Sequence, residues 1–303
     1  MSTIADKIEE LKKQRNAVIL AHNYAPYEVQ KIADIVGDSL GISQKASQTK
    51  ADVVVLCGVR FMAETVAILC PEKTVLIPDD NAGCPMANMI NTRQLAETKE
   101  KHKDVIVVTY VNSSAAIKAM SDICCTSSNA VAVVNSLPKD RKILFIPDRN
   151  LGHYVMTQTN RDMILWNGFC PTHERILPEF VMQLKARYPD ALFVAHPECK
   201  PDTVKLADYV GSTSGIIQYC QQSSANEFII GTENEIAKKL QNENPDKKFY
   251  PFPEIADCPN MKLVTLEKIV WCLEDMQPQM QIGLELAERA RVPIRKMLEL
   301  SNA

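Results

Sequence analysis

The sequence has no surplus of positive charge. Thirty-four Lys and Arg stand against 37 Asp and Glu, a formal net charge of −3. Proteins that bind nucleic acid or membrane surfaces normally carry a basic excess, so neither kind of partner is expected. No apolar run approaches the roughly 18 residues needed to cross a bilayer. The N-terminal stretch holds Asp6, Glu9 and Glu10 and lacks the apolar core of a secretory leader. A cytoplasmic location is expected, and with it reduced thiols. G-x-G-x-x-G and G-x-x-x-x-G-K-[ST] are both missing, which removes the main support for dinucleotide and P-loop nucleotide binding. C-x-x-C is missing too, so no local zinc ribbon is expected.

Thiols, by contrast, are plentiful. Ten cysteines accompany 17 prolines, and four times the two are adjacent: Cys70-Pro71, Cys84-Pro85, Cys170-Pro171 and Cys258-Pro259. Random placement would give fewer than one such pair. In a reducing compartment ten cysteines do not read as five disulfides; they are buried packing thiols, metal ligands or catalytic thiols.

Short β-branched runs alternate with amphipathic stretches along the whole chain. Strands are expected at 17–23, 52–58, 74–78, 105–111, 142–147, 163–166, 192–196, 228–232 and 249–252. Stretches such as "YEVQKIADIVG", "RQLAETKEKH" and "ENEIAKKLQ" lie between them and read as helical. Such alternation predicts an α/β fold with parallel sheets covered by helices on both faces.

The alternation also repeats. His22, Tyr110 and His196 each end a first strand. Twelve residues later stand Asp34, Asp122 and Asp208, and five beyond those Ser39, Ser127 and Thr213. At offsets of 62, 60 and 62 from the strand ends come Cys84, Cys170 and Cys258, each before a proline. Cys70 falls outside this frame. The reading is three homologous αβα three-layer units, 1–100, 101–186 and 187–276, around a pseudo-threefold axis. A C-terminal helix within 277–303 is expected to pack back on the first unit.

In open α/β sheets ligands bind beyond the carboxyl ends of the strands, where His22, Tyr110, His196 and Glu198 fall. Ser39, Ser127 and Thr213 precede apolar helical runs and read as N-caps. Helix N-termini favour anions, so three of them around one pocket would suit a small polyanion. One such serine alone would be an ordinary cap; only the threefold equivalence argues for more. Three cysteines converging from three loops are a metal site with one open position. Both catalytic zinc and a [4Fe–4S] cluster with one free iron fit that pattern.

Cys57, Cys124, Cys125, Cys220 and Cys272 lie in apolar runs and read as packing thiols, and Cys70 as structural. Cys199 in "HPEC" fits either role. His173, three residues after Cys170, is read both as a core histidine and as a support for the ligand. His102 reads as solvent-exposed.

At these residues the chain closely resembles the quinolinate synthase family, iron–sulfur enzymes of NAD biosynthesis, in their short form. The matching segments include "LAHNY", "IADIVGDS", "GVRFMAET", "GCPMAN", "TYVNS", "CTSSNAV", "PDRNLGHYV", "CPTH", "HPEC", "ADYVGSTSG", "GTE" and "CPNMK", from about residue 19 to 262. The resemblance implies three αβα domains, with Cys84, Cys170 and Cys258 as the ligands of one [4Fe–4S] cluster that keeps one open iron. It implies condensation of iminoaspartate with dihydroxyacetone phosphate to quinolinate, phosphate and water. His22, Ser39, Ser127, His196 and Thr213 would hold carboxylates and phosphate. Tyr24, Tyr110, Asn112 and Glu198 would orient substrate and transfer protons. Iminoaspartate implies a functional link to an aspartate-oxidising enzyme. Some longer members carry a Cys-x-x-Cys-x-x-Cys run near the third ligand. Only Cys258 stands here, which speaks against thiol regulation of that kind. Two other readings of the residues remain: another zinc or iron–sulfur hydro-lyase for a small dicarboxylate, and a non-enzymatic anion binder whose cysteines merely pack.

Overall fold

The structure, a computed structural model, describes residues 3–302. It contains three four-stranded parallel sheets. The first has β1 (Ala17–His22), β2 (Ile35–Gly37), β3 (Val53–Cys57) and β4 (Thr74–Leu76). The second has β5 (Ile106–Tyr110), β6 (Ile123–Cys125), β7 (Ile143–Ile146) and β8 (Ile164–Leu165). The third has β9 (Leu192–Ala195), β10 (Tyr209–Val210), β11 (Glu227–Gly231) and β12 (Lys248–Tyr250). The spatial order is the same each time: the second strand at one edge, then the first, third and fourth. The central strands are continuous apolar runs such as Val53–Cys57, buried at every position, as expected where helices cover both faces.

All nine expected strands are present. Three more, β2, β6 and β10, were not expected; each is an edge strand of two or three residues that follows one of the repeated aspartates and ends at or next to Gly or Thr. "YEVQKIADIVG" accordingly divides into a helix, Tyr27–Ile32, and β2. The repeated aspartates explain why such short strands form. The carboxylates of Asp34, Asp122 and Asp208 accept from the backbone N–H of Ile19, Val107 and Phe193, at 2.7, 2.8 and 2.7 Å. Their own N–H groups donate to the carbonyls of the same three residues. Each aspartate therefore closes the first strand's free edge and starts the edge strand. The threefold aspartate is a structural clamp and no part of the site.

Helices pack around these sheets in a cyclic order. Thr92–Lys101 follows the first sheet in sequence, yet its Leu95 packs with Val107, Leu144 and Ile146 of the second. Pro178–Arg187 places Val181 against Phe193, Ala195 and Ile229 of the third sheet. Leu266–Asp275 returns to the first, where Ile269 and Leu273 meet Ile19, Val53 and Val55 beside Ile8 and Leu11 of the N-terminal helix Ile4–Arg15. Divisions at 100, 186 and 276, drawn from repeat phase, cut each covering helix from the sheet it covers.

The C-terminal helix Leu284–Asn302 corrects a second expectation. It touches the first unit through helix Arg60–Leu69, where the Arg291 guanidinium donates to the Ile68 carbonyl at 2.8 Å. Most of its packing is with the second unit, against β6 and the short helix Ala115–Lys118. Asn129 donates to Ser301 there, and Lys296 to the Asp122 carbonyl. Its buried Ala290, Ile294 and Met297 bridge two units instead of capping one.

Carboxylates stitch the units further. Glu64 of the first accepts from the Ala115 N–H that opens helix Ala115–Lys118, at 2.8 Å. Glu235 of the third accepts likewise from Tyr27 N–H at 2.9 Å. The equivalent helix of the third unit starts with Pro201, which has no N–H to satisfy.

Replacing Asp208 by Ala leaves the buried Phe193 amide without its partner. The expected result is a loss of about 1–3 kcal/mol of stability, read as a lower urea midpoint with an unchanged far-ultraviolet spectrum.

Candidate active site

The carboxyl ends of the three sheets face one cavity of about 230 Å³. A space of this size suits a small metabolite. His22, Tyr24, Ser39, Tyr110, Asn112, Ser127, His196, Glu198, Thr213, Cys84, Cys170 and Cys258 all line it. The structure thus brings together every site residue expected from the sequence. Cys199 stays outside, its thiol turned to the Gly231 carbonyl inside the third unit. Cys70 is buried in the core.

Seven of the ten cysteines are buried, and Cys84, Cys170 and Cys258 are the three that are half-exposed. Each precedes a proline and then one helical turn: Met86–Met89, Pro171–Glu174 and Met261–Leu263. A proline near the start of a turn costs no hydrogen bond, because an N–H there has no partner within the helix. The free N–H groups that follow it are turned toward sulfur. Met86 and Ala87 favour the thiolate of Cys84, His173 that of Cys170, and Asn260 and Met261 that of Cys258. Cys170 stands at the N-cap of its turn, whereas Pro85 and Asn260 hold that place in the other two.

Burial works against these amides. It pushes the Cys84 thiol up to about 12 and raises Cys170 and Cys258, with mutual repulsion among the three adding to the shift. Asp148 accepts from Cys170 N–H at 3.1 Å and Glu233 from Cys258 N–H at 3.2 Å. The equivalent residue of the first unit is Val59, so Cys84 has no such brace.

The N-cap expectation needs correction. Asp38 and Ser212 are the caps, accepting from Gly41 N–H and Gly215 N–H. Ser39 and Thr213 occupy the first helical position, and Ser127 lies two residues before the cap Asn129. With the capping done next door, the Ser39 and Thr213 hydroxyls can face the cavity beside unpaired helix N–H groups.

The two repeat-equivalent histidines are held alike. Tyr24 N–H donates to His22 Nδ1 at 3.1 Å, and Glu198 N–H to His196 Nδ1 at 3.3 Å. Nδ1 must therefore accept, which leaves Nε2 to carry the hydrogen. Burial depresses His22 to about 4 and His196 to about 3, against the pull of Glu198. Both are neutral donors at pH 7, and His196 Nε2 lies 3.1 Å from Ser127 Oγ.

His173 turned out to be central. Its Nδ1 is 2.8 Å from Glu198 Oε2 and 3.1 Å from Cys170 Sγ. Its Nε2 is 2.9 Å from Thr232 Oγ1 and 3.3 Å from the Tyr24 hydroxyl, which itself meets Thr232 at 2.6 Å. Burial pushes Glu198 up, but His173, 2.8 Å away, outweighs it with help from a Tyr110 hydrogen bond, and its carboxyl is lowered overall. Burial also raises Tyr24 and Tyr110 well above the ordinary tyrosine range, and the Glu198 charge adds to this. Sequence reasoning missed Thr232, Asp38 and Arg175. The quoted segments held a signal for two of them, "GTE" for Thr232 and "IADIVGDS" for Asp38.

The donor set suits a soft metal centre. Three thiols converge without a cation among them, and Glu198 Oε1 and Asn112 Oδ1 are buried without partners. The donor atoms of Cys170, His173 and Glu198 lie within 4.8 Å of one another.

The sequence model of the family described as Quinolinate synthetase A protein matches residues 6–299. The chain belongs to the quinolinate synthetase A family. A quinolinate synthase of Geobacter metallireducens is 55% identical over 298 residues, 98% of each chain. One from Geotalea uraniireducens is 52% identical over 297 residues, 98% of this chain and 97% of the relative. One from Methanosarcina barkeri is 52% identical over 295 residues, 97% of each. The family uses an iron–sulfur cluster and acts on small molecules, and the thiol set of this member fits such a group. No helix among the described residues is long and apolar enough to cross a membrane.

His22 and His196 have a stated consequence for stability. A histidine whose folded pKa lies below its unfolded value, near 6.5, weakens the fold as pH falls from 6.5 toward the folded value. Each should cost about 1 kcal/mol per pH unit in that range. Thermal unfolding of His196→Gln should therefore fall less steeply between pH 6.5 and 4.5 than that of the unmodified chain.

Proposed function

We propose that the chain is a quinolinate synthase that condenses iminoaspartate with dihydroxyacetone phosphate to quinolinate, phosphate and water. The observation that carries this is the convergence of one half-exposed cysteine from each of three units on a cavity of neutral and hydroxylic donors. Cys84, Cys170 and Cys258 would hold one [4Fe–4S] cluster. When bound, the cluster supplies an open iron as a Lewis acid.

The substrates bring two carboxylates and a phosphate. Ser39 and Thr213 sit at the starts of ten-residue helices whose free N–H groups suit such anions. The Nε2–H groups of His22 and His196, with Ser127, add donors without adding charge. Asn112 Oδ1 has no partner and would accept a hydrogen on the substrate nitrogen, which fixes the enamine for attack.

Deprotonation next to a carbonyl requires a base within reach. Glu198 is held as a carboxylate, and its Oε1 is free. A proton it takes can pass to His173 and, by way of Thr232, to Tyr24. The raised tyrosines are acids here: Tyr24 and Tyr110 would donate to departing oxygen atoms instead of abstracting protons. A cavity walled by three units keeps bulk water from the hydrolysable imine. Its supply calls for an aspartate-oxidising enzyme upstream. A cytoplasmic location belongs to the same reading, since ten free cysteines suit a reducing compartment.

The close grouping of Cys170, His173 and Glu198 favours one competing reading, a mononuclear zinc site. Metal analysis separates the two. Anaerobic purification should yield about four irons per chain with matching sulfide. The iron should be lost in Cys84→Ser, Cys170→Ser or Cys258→Ser and kept in Cys70→Ser. Zinc in its place, or iron that survives one of the first three changes, would overturn the cluster assignment. Glu198→Gln should keep its iron and lose roughly 10²–10⁴ in turnover; full turnover would remove Glu198 from proton transfer.

A further inference from the structure

Lys118 is completely buried and is the largest fully buried side chain of the molecule. No carboxylate lies within ion-pair distance of its ammonium among the described residues. Its hydrogen bonds go to two carbonyls, Ser113 at 2.7 Å and Phe61 at 3.3 Å. The ammonium also stands 5.4 Å above the centre of the Phe61 ring. Taking an unpaired cation out of water is expensive, and a methionine would fill the same volume without that penalty.

The two carbonyls are informative. Ser113 follows Asn112 in the turn after β5, and Phe61 lies in the first turn of helix Arg60–Leu69. Phe61, Asn112 and Tyr110 all line the cavity. Lys118 thus ties the wall of one unit to the wall of the next. Burial lowers the pKa of this lysine, while Glu64, Cys124 and Cys84 act to keep it charged. Glu64 is committed to the Ala115 amide and lies near Arg60, so it only partly offsets the ammonium. The three cysteine turns differ in what braces them. Asp148 holds Cys170, and Glu233, itself paired with Lys262 at 2.7 Å, holds Cys258, while the Cys84 side has Val59 at the equivalent place and the buried ammonium among the charges acting on it.

We propose that Lys118 is a positioning residue for this reaction: it pins the Tyr110–Ser114 turn to the first unit and sets a positive potential on the Cys84 side of the cavity. That potential would favour an incoming carboxylate or phosphate on this side of the cavity. This inference rests on the cluster reading above.

The test uses the reduction midpoint of the cluster in anaerobic holoenzyme. A buried charge acts through space, so removing opposite charges must move the midpoint in opposite directions. Lys118→Met should shift it to more negative potential and Glu64→Gln to more positive potential. The double variant should fall between the two. A loosened fold would move both single variants the same way, and that result, or no shift in either, would overturn the proposal. If Lys118→Met does not fold, Lys118→Gln decides alone by the presence or absence of its negative shift. Iron and sulfide counts on the unmodified chain keep the two readings apart. A chain without a cluster fails the cluster reading, whereas a clustered chain whose midpoints do not split fails only this one.

Discussion

No unit of this protein covers both faces of its own sheet unaided. Each apolar sheet face must be removed from water, and on one face of every sheet a helix from the unit before it does so: Leu95 on the second sheet, Val181 on the third, Ile269 and Leu273 on the first. The cysteine turn lies in the chain between a unit's last strand and the helix that crosses to the next sheet. Hydrophobic burial at the periphery therefore fixes where the turn goes. Each Cys-Pro is drawn to a junction between units, and the three junctions meet at one cavity. A ligand set that no local sequence could supply arises from the way the sheets share their covers.

Electrostatics inside that cavity follow from dryness. A charged imidazole is costly there, so His22 and His196 stay neutral and present Nε2–H. Two backbone amides choose that tautomer, and they do so at equivalent places in two units. Glu198 keeps its charge because His173 is 2.8 Å away. The same dryness keeps the tyrosines protonated. The site separates its groups into neutral donors, one carboxylate and reluctant thiols, and this division matches an acceptor of anions better than a general hydrolytic centre.

Much of this was legible in the sequence, because a repeat needs no coordinates to be seen. The phase shared by Cys84, Cys170 and Cys258 picked three cysteines from ten, and nine strands read directly from β-branched runs. Other features were hidden for identifiable reasons. β2, β6 and β10 are short edge strands set among polar residues and depend on the contacts of Asp34, Asp122 and Asp208. The place of Ser39 and Thr213 one residue inside their helices turned on which of two adjacent polar residues wins the cap. His173 could not be ranked, because its partners Glu198 and Thr232 lie 25 and 59 residues away in the chain. The cyclic sharing of helices was invisible, since an amphipathic pattern says that a face is buried but never against which sheet.

The ring of shared covers also has an order in time. Ribosomes deliver the first sheet about 190 residues before the helix that completes its cover, Leu266–Asp275. Until that helix is made, Ile4–Arg15 shields the face alone. The third cysteine turn directly precedes the same helix in the chain, so the three thiols can meet only after all three sheets have been made.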